Sequence, residues 1–136
     1  MHSNSEKCSI NNRPLILIVD NDRDNLLFAS YVIESLGMNS VVTDQGEECL
    51  RLVNDLSPDL ILLDIVMPKM NGLEITCQIK QNPSIATIPI IAVTGLTKPE
   101  DINQMTVAGC DDYLRKPYLI EELESKIFGC LKLSLA

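Results

Sequence analysis

The chain has 136 residues, the length of one domain with little chain left over. Its 19 acidic and 11 basic side chains give a formal net charge of −8, and no apolar run reaches the 18 or more residues of a membrane span. This composition argues against nucleic acid and anionic membranes as partners, because both are bound mainly through Lys and Arg. The polar first residues contain no apolar signal-peptide core, so we expect a cytoplasmic protein.

Short apolar segments alternate with segments of helical spacing along the rest of the chain. We expect a flexible polar tail over residues 1–13 and one domain over residues 14–134. The predicted strands are Pro14–Asp20, Asn39–Thr43, Asp59–Asp64, Ile88–Thr94 and Asp111–Arg115. The first, third and fourth are almost continuously apolar, which is typical of parallel strands covered on both faces.

Five helices are predicted from apolar residues spaced three or four apart after each strand. Asp44, Asn71 and Thr97 are each followed three residues later by Glu, a pattern that marks a helix start. Gly37 and Gly109 stand where the first and fourth helices should end. Five strands that alternate with five helices predict an α/β fold with a doubly wound, five-stranded parallel sheet.

Reactive side chains stand at the ends of four predicted strands, where ligands bind in open α/β sheets. Asp20 closes the first strand, Asp64 the third and Thr94 the fourth, and Lys116 follows the fifth. Two carboxylates suit Mg²⁺, while a hydroxyl and an ammonium group suit phosphoryl oxygens. One of the carboxylates can therefore serve as a nucleophile that forms an aspartyl phosphate.

The segments that carry these residues resemble the receiver domain of two-component response regulators in order and spacing: LIVDND, PDLILLDIVMPKMNG, IIAVTG and AGCDDYLRKPY. The resemblance covers residues 14–134 and implies the flavodoxin-like (βα)₅ fold of single-domain, chemotaxis-regulator-like receivers. It implies that Asp64 accepts a phosphoryl group from a histidine kinase or a histidine phosphotransfer protein. The implied metal is Mg²⁺, with Mn²⁺ as a substitute, bound by Asp20, Asp64 and the backbone carbonyl of Val66.

The resemblance also implies a switch. Thr94 would bind the phosphoryl group, Lys116 would pair with it, and the Lys116–Pro117 peptide bond would be cis. Tyr113 would turn inward and repack the face formed by the fourth helix, fifth strand and fifth helix. An unidentified downstream protein, or a second copy of the chain in a homodimer, would bind there. We expect a stand-alone regulator that catalyses only its own phosphorylation and dephosphorylation and is not an enzyme with an external substrate.

One position departs from the family pattern, which has two adjacent acids after the first strand. The second is Asn21 here, a neutral, weak or water-mediated ligand that should lower Mg²⁺ affinity, while Asp22 is expected to cap the first helix. A phosphorylation-independent interaction module is therefore an alternative. A haloacid-dehalogenase-like phosphatase, with Asp20 as nucleophile and Asp22 as acid, is disfavoured because that family's lysine precedes its acidic pair.

The lifetime of the phosphoryl group depends on two further positions. In similar domains, the residues two after the phospho-acceptor and two after the switch threonine flank the path of the attacking water. Here these residues are Val66 and Leu96, and neither side chain can orient water. We therefore predict slow autodephosphorylation.

Overall fold

The structure is a computed structural model that describes residues 12–69 and 71–132. Most of the predicted tail, residues 1–11, therefore lies outside the described residues, as do Met70 and residues 133–134 of the predicted domain. Among the described residues, no helix is long and apolar enough to cross a membrane.

Strands and helices alternate strictly along the chain. In chain order the elements are β1 (Leu15–Val19), α1 (Arg23–Ser35), β2 (Asn39–Thr43), α2 (Gly46–Leu56), β3 (Leu60–Asp64), α3 (Gly72–Lys80), β4 (Ile90–Thr94), α4 (Pro99–Ala108), β5 (Asp112–Arg115) and α5 (Ile120–Leu131). The strands form one sheet in the order β2-β1-β3-β4-β5, and every neighbouring pair is parallel. The predicted doubly wound (βα)₅ fold is confirmed.

The sheet separates two apolar layers. On one face, Ile16 and Ile18 of β1 pack in a cluster that includes buried residues of α1 and α5, such as Ile33 and Leu123. On the other face, Leu17 and its neighbours pack against α2, α3 and α4. Both faces of the central strands are therefore covered, which accounts for their continuous apolar sequences.

The predicted helix starts are correct for α1 and α3 and one residue early for α2 and α4. The Asp22 carboxylate accepts from the N–H groups of Asp24 and Asn25, and the Asn71 side chain accepts from Leu73 N–H at 2.8 Å. The cap of α2 is Gln45, because Thr43 forms the preceding turn by accepting from Gln45 N–H at 3.0 Å.

The one-residue shift of the α4 start has a different cause. Pro99 occupies the first helical position, which suits its fixed φ angle and missing N–H, so Lys98 becomes the cap. The Lys98 N–H donates to the Asp101 carboxylate at 3.1 Å.

At the helix ends, Gly37 and Gly109 have φ angles of 81° and 110°, a conformation that glycine adopts without a steric penalty. Both predicted ends are confirmed.

Candidate functional site

The carboxyl ends of the three central strands carry three buried polar side chains. Asp20 directly follows β1, Asp64 ends β3 and Thr94 ends β4, and their relative exposures are 5%, 4% and 1%. Because β1, β3 and β4 are neighbours in the sheet, the ends of these strands lie side by side. Buried carboxylates are costly unless they are paired, so the arrangement needs a cation.

Lys116 provides that cation within the chain. Its Nζ lies 3.2 Å from Asp20 Oδ2 and 3.4 Å from Asp64 Oδ2, so one ammonium group bridges the two carboxylates. The residue follows β5, and its backbone N–H donates to the carbonyl of Thr94 at 2.9 Å. The Lys116–Pro117 peptide bond is cis. The ammonium group offsets part of the repulsion between the acids, and the three side chains together carry a charge of −1.

The electrostatic environment makes Asp64 more basic than an ordinary aspartate. Burial raises its pKa most strongly, the Lys116 ammonium lowers it, and the charge of Asp20 raises it again, so that the pKa lies above its usual value. The backbone N–H of Val66 also donates to Asp64 Oδ1, at 3.3 Å. A desolvated carboxylate with a raised pKa is a better nucleophile than a solvated one, provided that it is ionised.

Asp20 is held by three donors. The backbone N–H of Asp22 donates to Oδ1 at 2.9 Å, and Oδ2 accepts from Lys116 and from the side-chain amide of Asn25 at 3.3 Å. Asn25 is absent from the sequence prediction. Its position in the sequence could have indicated this contact, because the side chain three residues after a helix cap, here Asp22, often turns back toward the helix start.

Thr94 lies beside a cavity at the same edge. Its Oγ1 accepts from Leu96 N–H at 3.0 Å, which fixes the turn between β4 and α4. The cavity measures about 390 Å³, and its lining includes Thr94, Val66 and Leu96. The side chains of Val66 and Leu96 are 58% and 50% exposed, so both predicted flanking residues border the open side of the site.

Tyr113 packs near Lys126, and Asn21 lines a separate small cavity. Tyr113 is half-buried on β5, and Lys126 Nζ of α5 lies 5.6 Å from its ring centroid while pairing with Asp112 at 2.8 Å. Asn21 is exposed and lines a small cavity with residues that include Met67 and Lys69. The Lys126 contacts are a second feature that the sequence prediction missed.

Gly72, the first residue of α3, packs directly against the backbone that carries Asp64. A Cβ atom at this position would lie 2.7 Å from Ile65 Cα and 2.8 Å from the Asp64 carbonyl oxygen. The Gly72 N–H also donates to the Ile65 carbonyl at 2.9 Å. The absence of a side chain therefore lets α3 approach the end of β3, a requirement that the sequence signals only as a glycine in a helix start.

The oxygen atoms at this edge fit a hard divalent cation. The candidate ligands are the carboxylates of Asp20 and Asp64, the carbonyl of Val66 and the side-chain oxygen of Asn21. Within residues 12–69 and 71–132, no group of three or more His, Cys, Asp and Glu side chains could hold a metal. A pair of carboxylates is nevertheless sufficient for Mg²⁺, which keeps several waters and usually takes one or two carboxylates from the protein.

The fold and this edge define a doubly wound α/β domain with two buried carboxylates, a lysine between them and a threonine on the next strand. The sequence profile of the response regulator receiver domain matches residues 16–128. The chain belongs to this family.

Relatives and solved structures agree with the assignment. The chain is 35% identical over 102 residues to the polar-differentiation response regulator DivK of Brucella ovis, covering 75% of this chain and 83% of that protein. It is 39% identical over 112 residues to a probable cyclic di-GMP phosphodiesterase of Vibrio cholerae, covering 82% of this chain but only 25% of that protein. A CheY-like receiver domain protein from Methanospirillum hungatei has a TM-score of 0.81 at 30% identity, over 89% of this chain and 95% of that one.

Proposed function

We propose that Asp64 accepts a phosphoryl group from a phosphohistidine on a histidine kinase or a histidine phosphotransfer protein. The observation that carries this proposal is the Lys116 ammonium group, which lies 3.4 Å from Asp64 Oδ2 and 3.2 Å from Asp20 Oδ2. A cation at this point is placed to pair with phosphoryl oxygens once Asp64 is modified. The unit that performs this reaction is the domain over residues 14–134.

The reaction is an in-line displacement at phosphorus. A carboxylate oxygen of Asp64 forms the new O–P bond, the N–P bond of the phosphohistidine breaks, and its electron pair returns to the imidazole nitrogen. Lys116 stabilises the negative charge on the transferring group, and the Thr94 hydroxyl donates to one of its oxygens. When bound by Asp20, Asp64 and the Val66 carbonyl, with Asn21 as a weak or water-mediated ligand, Mg²⁺ supplies additional charge neutralisation; Mn²⁺ can replace it. The chain acts only on its own Asp64, so the domain is a switch and not an enzyme with a separate product.

The output surface in this proposal is the face of α4, β5 and α5. Tyr113 and Lys126 line a cavity of about 430 Å³ between β5 and α5. Apolar side chains near the ends of this face are exposed, with Val107 at 78% and Leu119 at 66%. Bonding of Thr94 to the phosphoryl group draws the β4–α4 turn toward Asp64, and Tyr113 follows. A downstream protein, or a second copy of the chain, reads the altered face.

A second candidate function is a phosphorylation-independent interaction module. It is favoured by one observation: the family's second acid is Asn21 here, so the pocket has less negative charge to attract a metal ion. The haloacid-dehalogenase-like alternative loses its basis, because the chain belongs to the receiver family.

Intact mass after incubation with acetyl phosphate and Mg²⁺ separates the two functions. We expect wild type to gain the mass of one phosphoryl group and Asp64→Asn to gain none. Asp55→Asn is the matched control, because Asp55 is an exposed aspartate on α2. Asn21→Asp is expected to gain mass at lower Mg²⁺ concentration than wild type. No mass gain by wild type at saturating Mg²⁺ would reject the phosphorylation proposal and favour the interaction module.

A further inference from the structure

The second hydrogen-bond donor on Asp20 Oδ2 is the side-chain amide of Asn25. Its Nδ2 lies 3.3 Å from Oδ2, and Lys116 Nζ lies 3.2 Å from the same oxygen. Asn25 is half-buried in the first turn of α1, and its backbone N–H is fixed by the Asp22 cap at 3.3 Å. The amide therefore reaches Asp20 from a position that the helix start already holds in place.

The two donors on this oxygen differ in what phosphorylation would do to them. Lys116 is shared with Asp64 and would turn toward the phosphoryl group. Asn25 is neutral and belongs to a different element, so it can keep Oδ2 hydrogen-bonded after Lys116 has moved. Without Asn25, the Asp20 carboxylate would keep only the Asp22 N–H on Oδ1 as a fixed donor among the contacts described above.

The same side of α1 also contacts the segment that follows Lys116. Phe28 lies three residues after Asn25, which places the two on neighbouring positions of one helix face. The Phe28 ring centroid is 5.8 Å from that of Tyr118, the residue after Pro117. Helix α1 thus packs near both members of the Asp20–Lys116 pair, so the position of Asn25 relative to the site is set by tertiary packing as well as by the cap.

We propose that Asn25 is a positioning residue for Asp20: its amide orients the carboxylate and thereby strengthens Mg²⁺ binding. The inference rests on the proposed function, since it assumes that Asp20 is a metal ligand. Groups that hydrogen-bond to ligating side chains commonly change metal affinity by about 10- to 100-fold when they are removed. One 3.3 Å amide bond belongs at the lower end of this range, so we expect about a tenfold loss for Asn25→Leu.

The test is a Mg²⁺ titration of the unphosphorylated protein, followed by the backbone amide NMR signals of Asp22 and Val66. Asn25→Leu should raise the dissociation constant about tenfold. Asn25→Gln, which keeps the amide donor one methylene further out, should lie between Asn25→Leu and wild type. Asn54→Leu is the matched control, because the Asn54 amide donates to its own helix at Leu50 and α2 does not carry the site.

Two further readouts separate positioning from a general structural effect. The urea unfolding free energy of Asn25→Leu should fall about as much as that of Asn54→Leu, because each variant loses one amide hydrogen bond. In phosphorylation by acetyl phosphate, the half-saturating Mg²⁺ concentration should rise about tenfold, whereas the rate at saturation should fall much less.

Three outcomes would overturn the role of Asn25 while leaving the proposed function intact. These are an unchanged dissociation constant for Asn25→Leu, an equal loss for Asn54→Leu, and a Gln variant that binds no better than the Leu variant. If wild type itself shows no saturable Mg²⁺ response, both this inference and the metal-dependent part of the proposed function are wrong.

Discussion

Replacement of Gly72 by Ala tests how closely α3 must approach Asp64, the proposed phospho-acceptor. The added Cβ would lie 2.7 Å from Ile65 Cα, where ordinary contacts begin at 3.4 Å, so one backbone must move by about 3.4 − 2.7 = 0.7 Å. The second close neighbour is the carbonyl oxygen of Asp64 at 2.8 Å. Both neighbours are backbone atoms, so no side-chain rotation can relieve the overlap.

The expected loss of stability follows from two opposed effects. Overpacking of this kind destabilises a protein by about 1–3 kcal/mol. Ala is favoured over Gly inside a helix by up to about 1 kcal/mol, and less at the first helical position. We therefore expect Gly72→Ala to lower the free energy of unfolding by about 1–2 kcal/mol. Because a 1 Å misplacement of a reacting group can reduce a rate by about 100-fold, the shifted Asp64 should be phosphorylated at least about tenfold more slowly.

Gly129→Ala is the matched control. Gly129 is exposed in α5, and a Cβ atom there would meet nothing within 4 Å. This variant should be more stable than wild type by up to about 1 kcal/mol and should be phosphorylated at the wild-type rate. Urea unfolding and the initial rate of mass gain from acetyl phosphate measure both effects. If Gly72→Ala equals Gly129→Ala in stability and rate, the close packing inferred here is wrong.

Three further predictions concern Asp64, its phosphoryl group and Lys80. In Mg²⁺-free buffer, the Asp64 carboxyl should lose its proton at a higher pH than an ordinary aspartate, because burial raises its pKa; an NMR titration that places it at the ordinary aspartate value would contradict the effect of burial. The phosphoryl group should be lost over minutes or longer in Mg²⁺. Val66→Asn should shorten this lifetime, because its amide can orient the attacking water. Loss from wild type within seconds would refute slow autodephosphorylation. Lys80→Met should lower the unfolding free energy by about 2 kcal/mol, since the ammonium group bonds to Asp111 at 2.9 Å and to two carbonyls. The phosphorylation rate of this variant should stay unchanged, because these contacts lie at the opposite edge of the sheet.

The Asp64 carboxylate also has a predictable effect on stability. Its pKa is raised in the folded protein, so the folded state binds the proton more tightly than the unfolded state does. Stability from this group is present at low pH and declines as the pH rises from the ordinary aspartate pKa through the raised one. Asp64→Asn should therefore be at least as stable as wild type at neutral pH in urea unfolding, and a clear loss of stability would show that the Lys116 pair outweighs burial.

The sequence was informative where a local pattern determines the structure. Continuous apolar runs are a direct consequence of strands buried on both faces, and Gly37 and Gly109 occur where the chain needs a positive φ angle. The helix starts of α2 and α4 were displaced by one residue because Thr43 and Pro99 determine the preceding turns. Such turn chemistry competes with the capping pattern and is not visible in it.

The site also contains residues that local sequence patterns predict and contacts that they do not predict. Asp20, Asp64, Thr94 and Lys116 follow from strand ends, since parallel strands bring their carboxyl ends to one edge. Their assigned roles stay predictions. The contacts of Gly72 with the Asp64 backbone and of Lys126 with Asp112 depend on how helices pack against the sheet. No periodicity in the chain specifies these distances.

We propose that Asp64 is the residue that becomes phosphorylated, and the position of the phosphoryl group can be determined chemically. Borohydride reduces an aspartyl phosphate to homoserine, which peptide mass mapping can locate. After treatment with acetyl phosphate and Mg²⁺, we predict homoserine at position 64 and at no other aspartate. Homoserine at position 20, or at none, would contradict the account of how Lys116, Asp20 and Asp64 work together.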